Sequence, residues 1–361
     1  MKVLSVVGAR PQFVKLSPVA HALESAGHDH VIVHTGQHYD AALSDVFFAD
    51  LGIQRPDVNL HVGSGSHAEQ TGAMLPGLER AMLEHRPDWV LVYGDTNSTV
   101  AAALAAVKIH QPVAHLEAGL RSFNRLMPEE HNRVMTDHAA DLLLAPTEVA
   151  VRHLRDEGLG ERTVLVGDVM ADVLFRVRDA RLAGGPTPLP TGVTEGDYLV
   201  ATIHRAENTD DPARLSAIIR ALAGIDRPVL LLAHPRLRDR SVAAGIPLDS
   251  GAVTVLEPQP YPRLVDLVAR SAGVVTDSGG LQKEAFLLRV PCTTLRHETE
   301  WVETVELGWN VLDGALANVA AHASRPVPPA TDAAPYGRGD AAMRVVEALA
   351  APPRVENALT P

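Results

Sequence analysis

The chain has 361 residues, more than one hydrophobic core usually supports, so two domains are expected. Its 46% hydrophobic and 21% charged residues are typical of a globular protein. The formal net charge of −12 argues against a general nucleic-acid or membrane-surface binder, because both targets are anionic, but it allows a local basic pocket for a phosphate.

Cys292 is the only cysteine and cannot form an internal disulfide, which suits a reducing cytoplasm. The apolar run at the start is too short for a signal peptide, and no apolar stretch approaches the ~20 residues that span a bilayer. We therefore expect a soluble, cytoplasmic protein.

Short apolar runs recur along the chain, and each is followed by a loop and a helical pattern. They occupy residues 2–7, 30–35, 89–94, 112–116, 142–145, 164–166, 198–203, 228–233, 253–256, 273–276 and 290–295. Most are continuously apolar, as expected for parallel strands covered by helices on both faces. Amphipathic stretches between them predict helices at 12–26, 99–109, 129–140, 212–223 and 280–289. The fold class predicted is α/β, with two Rossmann-like, doubly wound parallel-sheet domains.

The predicted domain boundary lies near Gly167, ahead of a Pro- and Gly-rich surface loop at 184–197. Residues 1–166 form the N-terminal domain of this prediction, and residues 167–339 form the C-terminal one. A last helix begins at about residue 340, and the end of the tail, to residue 361, is expected to fray.

In open parallel sheets, ligands bind beyond the carboxyl ends of the strands, so polar residues directly after the apolar runs are the candidates for chemistry. These residues are Arg10, Gln37, His38, Asp95, Glu117, His204, His234, Glu257 and the segment 277–280. Any one of them could be an ordinary loop residue. The whole set predicts two polar edges that face each other across a cleft.

Residues 276–284 read Thr-Asp-Ser-Gly-Gly-Leu-Gln-Lys-Glu and follow a predicted strand. Gly279 and Gly280 let the backbone approach a ligand, while the free N–H groups and the helix dipole favour an anion such as a diphosphate. Glu284 lies one turn into the helix, where its carboxylate could accept both hydroxyls of a ribose. The alternative is a plain helix start with a favourable acid.

Asp95, Glu117 and the Glu129-Glu130 pair are the acid–base candidates. Proton transfer at a carbon atom requires a base and an acid, and clustered carboxylates can have pKa values that differ enough for both roles. For the pair after Pro128, a helix start is the competing interpretation. His204, at a strand end beside Arg205, could neutralise a departing diphosphate.

Other site types fit the pattern less well. A metal could use His115, His131 and His138, but they lack metal-ligand spacing, so no metal and no cofactor is predicted. A Gly-x-Ser-x-Gly elbow is missing from the sequence, which argues against a Ser/His/Asp hydrolase. The segment Gly8-Ala9-Arg10 lacks the dinucleotide fingerprint.

With these residues assembled, the sequence resembles the UDP-N-acetylglucosamine 2-epimerases of the non-hydrolysing type. The resemblance covers most of the chain, from Gly8 to Gly337. It is carried by the segments Gly8–Lys15 (GARPQFVK), Thr35–His38 (TGQH), Tyr93–Thr96 (YGDT), His115–Arg121 (HLEAGLR), Pro128–Arg133 (PEEHNR) and Asp277–Glu284 (DSGGLQKE).

The resemblance implies a glycosyltransferase-B-like fold, with the last helix packing back on the first domain, and a homodimer. It also implies the reaction: UDP is eliminated to leave 2-acetamidoglucal, then re-added after C2 is protonated on the opposite face. The residues implied as catalytic are Asp95, Glu117, Glu129 and His204. Those implied to bind UDP and sugar are Arg10, Lys15, Arg133, His234, Ser278, Gly279, Gly280, Glu284 and Arg296.

This sequence departs from the family pattern at several positions. Ala206 stands where many members have a second arginine, and Glu300-Trp301-Val302 stands where many have Glu-Arg-Pro. A second UDP-N-acetylglucosamine activates non-hydrolysing members, and a remnant of that site is predicted at Gln37, His38 and Arg205. Asp40 and Glu69 replace common glutamine and arginine residues there, which weakens the prediction of activation.

Two other activities stay open at this point, as does a catalytically inactive binder of sugar nucleotides. One is a hydrolysing 2-epimerase, which releases UDP and N-acetylmannosamine. The other is a metal-free glycosyltransferase of the same architecture, which would need only one base and would leave the three carboxylates unexplained.

Overall fold

The computed structural model describes residues 1–37, 52–185 and 187–351, apart from the side chains of Arg10 and Leu182. Contacts divide the chain into two compact units. The first unit contains Met1–Val173 and the described residues from Ala334 onward, and the second contains Leu174–Ala333. Within the described ranges, no helix is long and apolar enough to cross a membrane.

The strands and helices of the first unit alternate along the chain. The strands are β1 (Lys2–Val7), β2 (Asp29–His34), β3 (Val58–Asn59), β4 (Trp89–Tyr93), β5 (Val113–Leu116), β6 (Leu142–Ala145) and β7 (Thr163–Leu165). The helices are α1 (Arg10–Ser25), α2 (His67–His85), α3 (Asn97–Lys108), α4 (Pro128–Ala139), α5 (Glu148–Asp156) and α6 (Val169–Gly184), the last of which runs on into the second unit.

The described strands of the first unit form one parallel sheet with the order β3-β2-β1-β4-β5-β6-β7. The order reverses between β1 and β4. Because helices leave in opposite directions at such a reversal, a crevice opens beyond the carboxyl ends of the flanking strands. The segments after Val7 and after Tyr93 therefore border the expected ligand position.

The second unit repeats this pattern. Its strands are β8 (Leu199–Thr202), β9 (Val229–Leu232), β10 (Val253–Leu256), β11 (Gly273–Thr276), β12 (Cys292–Thr294) and β13 (Asn310–Leu312). Its helices are α7 (Ala206–Thr209), α8 (Pro212–Ala223), α9 (Pro235–Ala244), α10 (Tyr261–Ala269), α11 (Gly279–Leu287), α12 (Val302–Glu306) and α13 (Val319–Ala323). The first unit closes with α14 (Ala341–Ala350).

The described strands of the second unit are also parallel, in the order β10-β9-β8-β11-β12-β13. Here the order reverses between β8 and β11. The segments that follow Thr202 and Thr276 border this reversal, and they contain His204 and the Ser278-Gly279-Gly280 turn.

The continuously apolar strands reflect cores on both faces of each sheet. In β4, Leu91 and Tyr93 join one buried cluster, while Val90 and Val92 join the cluster on the opposite face. Alternate side chains of a strand point to opposite faces, so a strand with helices on both sides needs apolar residues at every position. The fold class predicted from the sequence is confirmed.

Two strands escape the sequence prediction. β3 and β13 have two and three residues, and each includes an asparagine, so neither gives a continuous apolar run. They form at the outer edges of their sheets, where pairing with one neighbour defines them.

Candidate active site

Asp95 and Glu117 follow neighbouring strands of the first sheet. Tyr93 of β4 is paired with Leu116 of β5, so Gly94 and Glu117 emerge side by side at the carboxyl edge. A Cβ built on Gly94 would lie 3.2 Å from Oε2 of Glu117 and 3.3 Å from Nζ of Lys15. The backbone turn that carries Asp95 therefore lies directly against the Glu117–Lys15 pair.

Glu117 pairs with Lys15 of α1, and both side chains are largely buried. Burial by itself lowers the pKa of Lys15, but the carboxylates of Glu117 and then Asp95 and Asp168 outweigh it, and the pKa is raised. Glu117 has φ of 70°, in the left-handed region that costs a non-glycine residue about 1–3 kcal/mol. Such strain is common at functional positions, where the surrounding structure holds the side chain in an unusual direction.

Asp95 pairs with Arg133 of α4 at 2.5 Å, and its side chain is 32% exposed. Arg133 also contacts Glu130 at 2.5 Å. Glu130 is buried and accepts hydrogen bonds from Ser122 N, from Ser122 Oγ and from the N–H of Phe123. Burial raises the pKa of Glu130, but these hydrogen bonds and the charge of Arg133 outweigh it, and the pKa is lowered. The carboxylate of Glu130 therefore has a structural role. Glu129, by contrast, is exposed.

The remaining predicted residues of the first unit lie along the same edge or outside the described residues. Arg10 begins α1 directly after the β1 turn, and its side chain is outside the described part. Gly8 precedes it, and a Cβ there would meet Ser98 Oγ at 2.1 Å, so only glycine fits. Gln37 accepts hydrogen bonds from the N–H and Oγ of Ser98. His38 lies outside the described residues.

In the second unit, His204 is held by the buried Asp277. The Asp277 carboxylate accepts the N–H groups of His204 and Arg205 and the amide of Asn208, and it lies 3.1 Å from Nδ1 of His204. Burial raises the pKa of Asp277, but these hydrogen bonds and His204 outweigh it, and the pKa is lowered. Nδ1 of His204 therefore faces a carboxylate, and Nε2 is the nitrogen available for a ligand.

His234 lies beside His204, with ring centroids 5.9 Å apart. It caps α9, where its Nδ1 accepts the N–H of Arg236 at 3.2 Å. Two imidazoles thus stand at the carboxyl ends of the adjacent strands β8 and β9.

The start of α11 carries the predicted anion site. Ser278 is the N-cap, and Gly279 and Gly280 form the first helical positions. Their N–H groups belong to the first turn, which lacks intrahelical partners. A Cβ on Gly280 would meet nothing within 4 Å, whereas one on Gly279 would approach Glu300, Trp301 and Arg296 at 3.6–3.9 Å. The helix start is therefore open at Gly280 and bounded by these side chains at Gly279.

Glu284 and Arg296 both have protein partners. Tyr261 Oη donates a hydrogen bond to Oε1 of Glu284 at 3.0 Å. Arg296 is buried and forms a bidentate pair with Glu300 at 2.9 and 3.0 Å, and Arg205 lies 4.0 Å from the same carboxylate. The guanidinium of Arg296 is thus oriented beside the α11 start.

Two residues escaped the role assignment made from the sequence. Asp277 and Glu300 orient His204 and Arg296, although Asp277 was a candidate only as part of the segment 277–280 and neither residue was given a role. A signal existed for Asp277, because an acid directly after a buried strand needs buried partners. Among the described residues, no group of three or more His, Cys, Asp or Glu could hold a metal ion.

The family model of the UDP-N-acetylglucosamine 2-epimerases matches residues 21–350. The chain belongs to this family. The resemblance inferred from the motifs is thereby confirmed at the level of the family. The solved structure of the UDP-N-acetylglucosamine 2-epimerase of Methanocaldococcus jannaschii in complex with UDP-N-acetylglucosamine and UDP is 37% identical to this 2-epimerase family member. It has a TM-score of 0.78, covering 97% of this chain and 99% of that one.

Relatives of this family member differ in the sugar that their names give. A UDP-2,3-diacetamido-2,3-dideoxy-D-glucuronate 2-epimerase of Pseudomonas aeruginosa is 47% identical over 97% of this chain and 99% of the relative. A UDP-N-acetylglucosamine 2-epimerase of Methanocaldococcus jannaschii is 42% identical over 87% of this chain and 88% of the relative.

Proposed function

We propose that this protein reversibly inverts C2 of UDP-N-acetylglucosamine to give UDP-N-acetylmannosamine, by the non-hydrolysing route. The observation that carries the proposal is the pairing of two adjacent strand-end carboxylates with cations, Asp95 with Arg133 and Glu117 with Lys15. A lone carboxylate would serve a single proton transfer. Two oriented carboxylates, with the exposed Glu129 in the first turn of the helix that carries Arg133, support a reaction that removes a proton and returns one.

In the proposed elimination, a proton leaves C2 while UDP leaves C1. A carboxylate takes the proton from C2, the C2–H electrons form the C1–C2 double bond, and the C1–O bond breaks with its electron pair leaving on UDP. The product is 2-acetamidoglucal. A proton then reaches C2 from the opposite face as the UDP oxygen returns to C1. Asp95, Glu117 and Glu129 are the proposed acid–base groups, and each such transfer contributes about 10²–10⁴-fold in rate.

The second unit supplies the proposed UDP site. The N–H groups of Gly279 and Gly280 and the hydroxyl of Ser278 face the diphosphate, and a helix start favours its negative charge. His204, oriented by Asp277, stabilises or protonates the departing oxygen. Arg10, Arg296 and His234 add donors for the diphosphate, Lys15 and Arg133 contact the sugar, and Glu284 accepts the ribose hydroxyls.

A second candidate substrate is UDP-2,3-diacetamido-2,3-dideoxy-D-glucuronate. The observation that favours it is the 47% identity to the Pseudomonas aeruginosa relative of that name. Both sugars share the UDP group and the 2-acetamido substituent on the inverted carbon, so the same elimination serves either. The proposed chemistry is common to both, and only the sugar differs.

The test supplies each UDP-sugar separately in D₂O and follows C2 and the phosphates by NMR. We expect inversion with deuterium at C2 and no build-up of free UDP from one of the two sugars. Inversion without deuterium, or no turnover of either sugar, would overturn the proposal. Accumulation of free UDP with N-acetylmannosamine would replace it with the hydrolysing reaction.

Matched variants tie the activity to the site. Asp95→Asn is expected to lower kcat by about 10²–10⁴-fold, because the carboxylate can no longer accept a proton. Asp29→Asn removes an exposed acid at the opposite end of the strands of the same sheet and is expected to retain full activity.

The homodimer implied by the resemblance is a further proposal, which sedimentation of the purified protein would test.

A further inference from the structure

His115 lies in β5, two residues before Glu117, and its side chain is completely buried. Both ring nitrogens are in hydrogen bonds. Nδ1 lies 2.6 Å from Oδ1 of Asp137, and Nε2 lies 2.7 Å from the carbonyl oxygen of Gly94. None of the acid–base roles assigned above uses this histidine.

The partners of His115 determine how many protons the ring carries. The carbonyl oxygen of Gly94 can only accept a hydrogen bond. Oδ2 of Asp137 pairs with the guanidinium of Arg121 at 2.7 Å and accepts the N–H of Gly119, so Asp137 is an ionised acceptor. A neutral imidazole has one N–H donor and one lone pair, so one of the two contacts would set a lone pair against an oxygen. Both contacts are satisfied only when both nitrogens carry hydrogen.

We propose that His115 is a buried, doubly protonated positioning residue that ties together the two turns carrying Asp95 and Glu117. Through Nε2 it holds the carbonyl oxygen of Gly94, in the peptide group that precedes Asp95. Through Nδ1 it holds Asp137, whose other oxygen accepts the N–H of Gly119, two residues after Glu117. The role of this link in catalysis rests on the function proposed above, whereas the protonation state does not.

The neighbouring charges allow a cation at this buried position. Oδ2 of Asp137 pairs with Arg121 at 2.7 Å, and Arg121 makes a bidentate contact with Glu157, with both distances 2.8 Å. His138 lies 3.2 Å from Glu157 at the half-exposed end of the network. With His115 protonated, the network contains two cations, His115 and Arg121, and two carboxylates, the buried Asp137 and the partly exposed Glu157. Buried charges persist when they are paired in this way, and removing one partner leaves an uncompensated charge.

The link also accounts for the strained backbone of Glu117. Asp137 holds the chain on both sides of Glu117, through Nδ1 of His115 and through the N–H of Gly119. Glu117, whose φ is 70°, lies between these two contacts. A residue in the left-handed region persists only where its surroundings over-determine it. Loss of the link would let the Glu117 turn relax and would move the carboxylate from its position beside Lys15.

The direct test is NMR of the full chain labelled with ¹⁵N-histidine, with His115 assigned by comparison with His115→Gln or Asp137→Asn. We expect two N–H protons on the His115 ring at neutral pH, one in the contact with Asp137 and one in the contact with the Gly94 carbonyl. A ring with a single N–H at neutral pH would overturn the proposal. This measurement needs no turnover, so it decides the protonation state even if neither UDP-sugar reacts.

The kinetic test uses whichever UDP-sugar the wild-type protein inverts. Glutamine has one amide donor group and cannot bridge a carbonyl and a carboxylate as imidazolium does, so His115→Gln is expected to lower kcat by about 10–100-fold. KM should change by less than about threefold, because the proposed UDP-binding groups are intact. His138→Gln removes the half-exposed histidine of the same network and should leave both constants unchanged.

Asp137→Asn provides a second test of the link in case His115→Gln fails to fold. The asparagine removes the negative charge beside His115, so one of the two N–H signals of the ring should be lost, and kcat should fall as well. A His115→Gln protein that is folded by circular dichroism and has wild-type kcat would overturn the positioning role. A loss of stability with unchanged kcat would do the same.

Discussion

Glu129 and Glu130 occupy adjacent positions in the first turn of α4, and only the second carboxylate is buried. Glu130 closes the preceding loop through Ser122 and Phe123 and pairs with Arg133. An exposed acid at the same helix start costs nothing to keep charged and is available to a ligand. At this position, the surroundings separate a structural carboxylate from a candidate catalytic one.

Substituting each glutamate separately tests this division. Glu129→Gln should leave the melting temperature unchanged and lower kcat by about 10²–10⁴-fold, because only a proton-transfer group is lost. Glu130→Gln should lower the free energy of unfolding by about 1–3 kcal/mol, since it weakens charge-assisted hydrogen bonds in a buried place. Kinetics and urea unfolding of the two variants give the comparison. Wild-type turnover by Glu129→Gln would contradict the assignment.

At the scale of elements, α14 completes the core of the first unit although it comes some 170 residues after the rest of that unit's chain. Its N–H groups at Ala341 and Ala342 are accepted by the Asp172 carboxylate, and the carbonyl of Leu349 accepts the indole N–H of Trp89. Its apolar face packs in the same buried cluster as α1 and β4. The helix is therefore part of the first unit, and hydrogen bonds hold it there at both ends.

Truncating the buried face of α14 should destabilise the first unit selectively. Leu349→Ala is expected to cost about 2–4 kcal/mol, because Leu349 is buried and a cavity would remain. Met343→Ala, at an exposed position of the same helix, should cost less than about 0.5 kcal/mol. Hydrogen exchange by mass spectrometry would show faster exchange in β1 and β4 and unchanged exchange in β8 and β11. Equal acceleration in both units would contradict this.

At the scale of the whole molecule, buried titratable groups make stability depend on pH. Burial lowers the pKa of His30 and of His34 to about 4, so the folded protein keeps both rings neutral where the unfolded chain, with a pKa of 6.5, binds protons. Stability from these groups is complete above pH 6.5 and is lost as the pH falls toward 4. Asp137 and Asp277 have lowered pKa values, so their contribution is lost only at still lower pH.

Urea unfolding at several pH values tests this expectation. The free energy of unfolding should fall by about 1–3 kcal/mol per histidine on going from pH 6.5 to 4. His34→Phe places an aromatic ring beside Phe13 and removes one titration, so its pH dependence should be flatter over this range. If the free energy of unfolding of the variant declines with pH as steeply as that of the wild type, His34 is not one of the groups that cause the pH dependence.

Particular residues show how much of the fold and of the candidate site could be predicted from the sequence. Asp95 and Glu117 follow strands that their apolar runs reveal, so their place at the carboxyl edge was predictable, and the fold class and family were predicted correctly. Glu129 was preferred to Glu130 by resemblance alone, because burial of one neighbour and exposure of the other leave no mark on the local pattern. The local sequence pattern likewise does not show which ion-pair and hydrogen-bond partners these acids have.

By itself, the sequence determined the alternation of buried strands and amphipathic helices, since hydrophobic periodicity records which side of each element faces water. It also determined which polar residues follow the strands. Only the tertiary structure decided the strand orders that reverse beside β1 and β8, and the pairing of Lys15 with Glu117 across 102 residues. It alone revealed the two partners of His115. Such contacts depend on how distant elements pack, and local periodicity carries no record of which elements become neighbours.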